Sequence, residues 1–259
     1  MSAFRDAWRD ELLAALIFLT RLPLGMVQAD APLPGAHPSL ADASWAFPVV
    51  GLVIGAIGGV AYAIAFALGL PTLAAALIAV AATVLTTGAL HEDGLADTAD
   101  GFGGGATREQ KLDIMRDSRI GAFGVLALIF SVGLRIVAVA GIGTRWHVFA
   151  ALIAAHALSR SVLPAAMHRL DPARDDGLGA GAGRPEQNQV LIALAISLVI
   201  AVVAVGLRPG LSAVIVAGLI AIAIGSLARR QIGGQTGDVL GTIEQGAETA
   251  ALLAAAAWL

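Results

Sequence analysis

Runs of about twenty apolar residues recur along this chain, and no other feature limits its fold as severely. They cover residues 47–70, 71–90, 121–143, 147–166, 189–207 and 211–228, with a weaker run at 238–259. A helix of about 20 residues rises about 30 Å, which matches the hydrocarbon core of a bilayer. Each strong run is therefore long enough to cross once. Composition agrees, because 58% of residues are hydrophobic, only 14% are charged and the mean hydropathy is +0.82. Soluble domains carry about 25% charged residues, so an ordinary water-soluble fold is excluded, as are a disordered chain and a fibre. The expected class is all-α: a polytopic integral membrane bundle of six to seven transmembrane helices, a single domain over residues 1–259.

Breaks between the runs are short. Pro71, Arg145 and the pair Arg208–Pro209 punctuate them, which predicts tight antiparallel hairpins. The chain has 31 glycines in 259 residues, a density that lets helices approach closely in lipid. The N-terminal stretch holds Arg5, Asp6, Arg9, Asp10 and Glu11 ahead of a short apolar segment, Leu12 to Leu19. No small-residue cleavage pattern follows, so an interfacial or re-entrant helix is expected instead of a cleaved signal. Residues 28–46, with Pro32, Pro34 and Pro38, are expected to form a loop.

Basic residues set the orientation. Taking seven crossings, one face collects Arg5, Arg9, Arg21, Arg108, Lys111, Arg116, Arg119, Arg169, Arg174, Arg184, Arg229 and Arg230, whereas the other has only Arg145 and Arg208. The positive-inside rule then places the long loops in the cytoplasm. A net charge of −3, with only 16 Lys and Arg, argues against a nucleic-acid partner. With no Cys, the chain has no disulfide, thiolate metal site or Cys nucleophile.

Chemistry concentrates on that cytoplasmic face, in residues 91–120. Asp93, Asp97 and Asp100 follow directly on an apolar run and stand at i, i+4 and i+7. On a helix they fall within about 60° of one another. Three stacked carboxylates near lipid repel one another unless a cation holds them, and hard oxygen donors suit Mg²⁺ or Mn²⁺. Gly103, Gly104 and Gly105 form a hinge, after which Thr107 and Gln110 have capping-box spacing and predict a helix over 108–118. Asp113 and Asp117 would lie one turn apart on it, flanked by Arg116 and Arg119. Folded back at the hinge, the two acidic faces could share metal ions, an arrangement suited to phosphoryl transfer.

Asp97, Asp100 and Gly101, followed by Asp113 and Asp117, partly resemble the signature of CDP-alcohol phosphotransferases, but the Ala-Arg pair expected after Gly101 is absent. A headgroup transferase of that kind is one alternative, and a divalent-cation or proton-coupled transporter is another. Over nearly its whole length the chain more closely resembles the cobalamin-5′-phosphate synthase (adenosylcobinamide-GDP ribazoletransferase) family. The matching segments are 18–23 (FLTRLP), 91–101 (HEDGLADTADG), 114–124 (IMRDSRIGAFG), the pair Ser159–Arg160 and 233–238 (GGQTGD).

The resemblance implies a Mg²⁺-dependent multi-pass enzyme of the bacterial inner membrane, acting late in cobalamin biosynthesis. Its substrates would be adenosylcobinamide-GDP and α-ribazole or α-ribazole 5′-phosphate. The products would be GMP and adenosylcobalamin or its 5′-phosphate. A homo-oligomer, or contact with other cobalamin-assembly enzymes, is compatible with it. By this resemblance Asp93, Asp97, Asp100 and Asp113 ligate metal. Asp117 either ligates or takes the proton of the attacking hydroxyl, so catalysis rests on Asp93, Asp97 and Asp117. Arg116 and Arg119 would grip pyrophosphate. Arg160, buried within its span, would meet a substrate phosphate or an active-site carboxylate. Gln235 and Asp238 could hydrogen-bond guanine at a helix start. His91 is counted with the substrate contacts, and Thr20 and Arg21 would line the entrance. Glu92 carries no catalytic role, Arg135 is assigned a structural one, and Glu244 and Glu248 stay open between a site role and a shallow helix.

Overall fold

The computed structural model describes residues 2–23 and 38–259 and is helical across most of them. Among the described residues the helices are α1 (Ser2–Leu19), α2 (Leu40–Ala43), α3 (Phe47–Ala67), α4 (Thr72–Thr87), α5 (Leu90–Gly104) and α6 (Arg108–Ile114). They continue with α7 (Ala122–Gly141), α8 (Arg145–Arg169), α9 (Gly177–Gly181), α10 (Gln187–Val205), α11 (Leu207–Ile232) and α12 (Gly237–Ala256). The only extended pairing among them is an isolated bridge between Pro172 and Gln235.

Five segments are long and apolar enough to cross a membrane: Leu40–Ala67, α7, α8, α10 and α11. A sixth crossing arises if α4 and α5 are one span, bent by 90°. The expected loop over 28–46 is corrected at its end, where α2 and a 3₁₀ turn over Ser44–Ala46 lead into α3. Ser39 explains the early start, since its hydroxyl accepts the Asp42 N–H as an N-cap. Residues 28–37 of that loop, with Pro32 and Pro34, lie outside the described residues. The weaker run at 238–259 is helical as α12, but it does not qualify as a crossing. Glu244, Gln245 and Glu248 make it too polar for lipid, and all three are buried within the bundle.

The central helix is α8, which packs on α3, α10, α11 and α12. In its most apolar stretch 78% of residues are buried, against 22% in α7 and α11. Glycines bring α3 against it: a Cβ on Gly51 would lie 2.2 Å from the His156 carbonyl oxygen, and one on Gly55 2.5 Å from that of Leu152. Small residues thus do for this pair what bulky interdigitation does in water. Ile129, Phe130, Val199, Val203, Ile215 and Ile222 on α7, α10 and α11 stay exposed, as lipid-facing positions should. Residues 68–71 and Gly206 close the expected hairpins α3–α4 and α10–α11, whose helices pack together. The α7–α8 turn is equally short, but α7 packs on α4, α5 and α12 instead.

Two consecutive left-handed residues turn the chain from α4 into α5. Gly88 (φ 67°) caps α4, and Ala89 follows at φ 58°. An alanine there costs about 1 kcal/mol or more, a strain repaid by the packing of α5 on α7 and α12. N-terminally, α1 lies against α2 and α3: Trp45 Nε1 donates to Glu11 at 2.6 Å, and Ala15 and Leu19 are buried with Phe47 and Val50.

Candidate active site

The bend puts the first turns of α5 inside the bundle. There α5 crosses α12 where both helices carry glycine: a Cβ on Gly94 would meet the Asp238 backbone at 2.9 Å, and one on Gly241 the His91 carbonyl at 3.1 Å. This crossing gives α5 two faces of opposite fate. Asp93 is exposed and Asp97 half-buried on one, while His91 and Glu92 are buried on the other.

On the outer face, Asp97 feels the repulsion of Asp93, Asp100 and Asp238, offset by Arg174 alone. Asp238 stands in the first turn of α12, 3.1 Å from the Thr236 hydroxyl, which donates to it, and 3.4 Å from Arg174. The loop before it is pinned: the Gln235 N–H donates to the Asp171 carbonyl, and the Ala173 N–H to that of Gln235. Gly234 permits this approach, because a Cβ would lie 2.0 Å from Asp171 O. Two buried polar atoms here lack partners, Gln235 Oε1 and Arg174 Nη1. Asp100 is engaged elsewhere. Its carboxylate accepts the backbone N–H groups of Gly121 (2.7 Å) and Gly124 (2.9 Å) at the start of α7.

Neither Asp113 nor Asp117 joins the charges acting on Asp97. The glycine hinge does fold α6 back onto α5, and the capping box of Thr107 and Gln110 is present. The contact is made by Met115 and Lys111 against Gly101 and Gly105, while Asp113 points outward. The expected helix over 108–118 stops at Ile114. Asp117 accounts for this by accepting the Arg119 backbone N–H and guanidinium, a local bond that competes with helix. The same pairing holds its carboxyl down to about 2. Arg116 bonds both oxygens of Asp176 at 2.7 and 2.8 Å, holding that carboxyl below its usual range. Both arginines offered for pyrophosphate are thus occupied by carboxylates. Thr20 donates to the Leu16 carbonyl at the end of α1. Arg21 N–H bonds Thr86 O at 2.7 Å, and its side chain lies over Gly88.

The inner face of α5 meets a buried ionic network. Arg135 donates to Glu92 and Glu248, each at 3.0 Å, and Arg160 donates to Glu248 at 2.9 Å and forms an ion pair with Glu244. His156 Nδ1 lies 2.9 Å from Glu248, and His91 Nδ1 3.2 Å from Glu244. Gln245 donates to Glu92 and Glu244, and Ser131 to Gln245. Among the described residues, His156, Glu244 and Glu248 are the one group with ligand atoms within 4.8 Å of one another. Arg135 and Arg160 form ion pairs with those carboxylates, which makes the group an interior charge clamp. Arg160, expected to meet a substrate phosphate or an active-site carboxylate, pairs with Glu244 and Glu248 of this network, and Arg135 pairs with Glu92 and Glu248. Sequence reasoning passed over His156, Glu92 and Arg174. His156 stands one helical turn before Arg160, and that spacing was its available signal.

Several basic residues tie together the loops at one end of the bundle. Arg108 donates to Ile232 O and Ala173 O, Lys111 to Gln231, Arg184 to His168 O, and Arg229 to Arg169 O.

The family described as Cobalamin-5-phosphate synthase matches residues 11–256. A protein of Bradyrhizobium diazoefficiens named "Adenosylcobinamide-GDP ribazoletransferase" is 50% identical over 96% of this chain and 94% of its own. Proteins of the same name from Mesorhizobium japonicum and Brucella canis are 47% and 40% identical, over 95% and 96% of this chain and 92% and 97% of theirs. No solved structure gives a significant match.

Proposed function

The chain belongs to the cobalamin-5-phosphate synthase family, and we propose that it performs that family's transfer on the outer face of the α5–α12 crossing. The reaction is attack by a ribose hydroxyl of α-ribazole, or of its 5′-phosphate, on the cobinamide-side phosphorus of adenosylcobinamide-GDP. A new O–P bond forms, the pyrophosphate P–O bond breaks, GMP leaves with the bonding pair, and the hydroxyl proton passes to solvent. The headgroup-transferase and transporter readings yield to the family match over residues 11–256.

One observation carries the placement: Asp93, Asp97 and Asp238 lie close enough for their charges to act on one another, and Arg174 stands 3.4 Å from Asp238. Such a donor set fits a hard divalent cation, Mg²⁺ or Mn²⁺. Asp93 and Asp97, one turn apart on α5, would hold it with Asp238 alongside. These ions commonly take one or two carboxylates and complete their shell with water and phosphate oxygens, so no closed protein cage is required. Bound there, the ion would offset charge on the phosphate oxygens as the O–P bonds exchange.

The chain's own groups do the rest. Arg174 has Nη1 free to bond a phosphate oxygen, a role for which Arg116 and Arg119 would first have to leave their carboxylates. Gln235 Oε1, buried and unpaired, can accept a guanine N–H. The charge clamp beneath holds α5, α7, α8 and α12 in register. By the positive-inside rule, the basic end of the bundle faces the cytoplasm of an inner membrane, where nucleotide substrates are found.

The test is turnover by protein purified into lipid nanodiscs, supplied with adenosylcobinamide-GDP, α-ribazole and Mg²⁺. GMP and a cobalamin product should appear together, and both should vanish with chelator and fall at limiting Mg²⁺ with Asp97→Asn. Undiminished product from Asp93→Asn and Asp97→Asn would overturn the placement.

A further inference from the structure

Beside the acidic edge, a cleft of about 110 Å³ opens into the apolar interior. Phe18 of α1, Phe47 of α3, and Leu163 and Met167 of α8 form its floor. Asp93 and Asp238 line it too, brought side by side by the glycine contact between α5 and α12. The cleft is therefore mixed, with aromatic and aliphatic carbon from α1, α3 and α8 and two carboxylates from α5 and α12. None of its apolar residues serves the charge clamp or the proposed metal set.

Resting on the functional reading above, we propose that this cleft seats the benzimidazole base of the ribazole acceptor and presents its ribose hydroxyls to Asp93 and Asp238. The reaction offers three groups that could enter. The corrin macrocycle, with its fringe of amides, is several times too large. The guanosine diphosphate portion would bury the polar edges of guanine against Phe18, Phe47, Leu163 and Met167. Unpaired buried polar groups cost about 1–3 kcal/mol each. A benzimidazole carrying its sugar is flat and largely apolar, has no N–H donor, and presents a single ring-nitrogen acceptor, fewer polar groups than guanine. Its ribose hydroxyls are donors, which is what carboxylates accept. Shape and polarity thus select the same one of the three. Position agrees as well, because the attacking oxygen must reach the phosphorus at the acidic edge.

The cleft would then define acceptor specificity. Apolar pockets discriminate by bulk, about 10–200-fold per methylene-sized misfit. Met167→Trp fills the floor and should raise KM for α-ribazole about tenfold or more, leaving KM for adenosylcobinamide-GDP within about twofold. Leu163→Ala enlarges the floor and should shift preference toward a naphthimidazole riboside. In the unmodified protein, free dimethylbenzimidazole should inhibit competitively against α-ribazole and not against adenosylcobinamide-GDP. A rise in KM for adenosylcobinamide-GDP, or inhibition by the free base that competes with that substrate, would overturn the proposal. So would a folded Met167→Trp enzyme with unchanged kinetics, or an absence of inhibition by the base. The two readings fail separately. Calorimetric titration of α-ribazole into nanodiscs of unmodified and Met167→Trp protein reports the cleft without turnover. Binding lost in the variant upholds the cleft even if no cobalamin forms, and equal binding to both proteins overturns it even if cobalamin does.

Discussion

Asp100 accepts the backbone N–H of Gly121 at 2.7 Å, and its second oxygen takes that of Gly124 at 2.9 Å. It thereby caps α7, whose own first residue offers no capping side chain. Both glycines are required, since a Cβ on either would lie within 2.5 Å of the carboxylate. A negative charge at a helix N-terminus is favourable both as hydrogen-bond acceptor and against the helix dipole. One aspartate of the i, i+4, i+7 series is thus turned to architecture while its neighbours remain available for chemistry.

That division separates two substitutions. Asp100→Ala should cost about 2 kcal/mol of stability through the lost cap and leave the Mg²⁺ dependence of the residual activity unchanged. Asp97→Asn should do the reverse, with an unaltered thermal midpoint and a raised Mg²⁺ requirement. Thermal unfolding in nanodiscs and Mg²⁺ titrations of activity check the pair.

Truncating the charge clamp should be severe. Glu248→Ala leaves Arg135 and Arg160 each short of a buried carboxylate, and breaking such pairs costs about 3–5 kcal/mol. The expected outcome is low yield and a lowered unfolding midpoint, measured by fluorescence-detected size exclusion after heating. Replacing exposed Glu109 should change neither.

Asp117 should prove dispensable as a base. Arg119 holds its carboxyl at about 2. A depressed carboxyl pKa contributes stability above the unfolded value of about 3.9 and loses it as pH falls through the folded one. At neutral pH this group is a poor proton acceptor with nothing left to titrate. The pH–rate profile of Asp117→Asn should therefore overlay that of the unmodified enzyme from about pH 6 to 9, as read by GMP release.

Gly94→Ala tests the α5–α12 crossing. A methyl at 2.9 Å from the Asp238 backbone must push the helices apart. Asp93 and Asp238 would separate, and activity should fall about 100-fold or more, as misplacement of about 1 Å can cause. Normal turnover by this variant would show that the crossing does not set the site.

The helical runs that became α3, α7, α8, α10 and α11 were legible because length and apolarity alone make a span. So was the capping box of α6, which needs only four residues. The break between α4 and α5 was not, since Ala89 carries no mark of a left-handed residue and adopts that state to satisfy packing. Asp93 and Asp97 could be found from spacing, as both lie on the accessible face. Asp100 could not be told from them, because its partner is the start of another helix 21 residues away. Glu92 was given no catalytic role, yet it points inward to Arg135, 43 residues on. Burial of charge is a tertiary property, and local spacing reports it only when both partners share one helix.

The buried clamp also orders events during synthesis. Arg135 can meet Glu92 as soon as α7 is made, but Arg160 must wait for Glu244 and Glu248 of α12, far downstream. A lone arginine within a span costs about 2.5–3.5 kcal/mol on insertion, and α12, which relieves it, is too polar to enter lipid by itself. The nascent bundle therefore passes through a stage with an unneutralised cation in its central helix, and docking of its final helix ends that stage. A chain stopped before Glu244 would keep that charge unpaired in its central helix, so the last helix completes the electrostatics of the whole bundle.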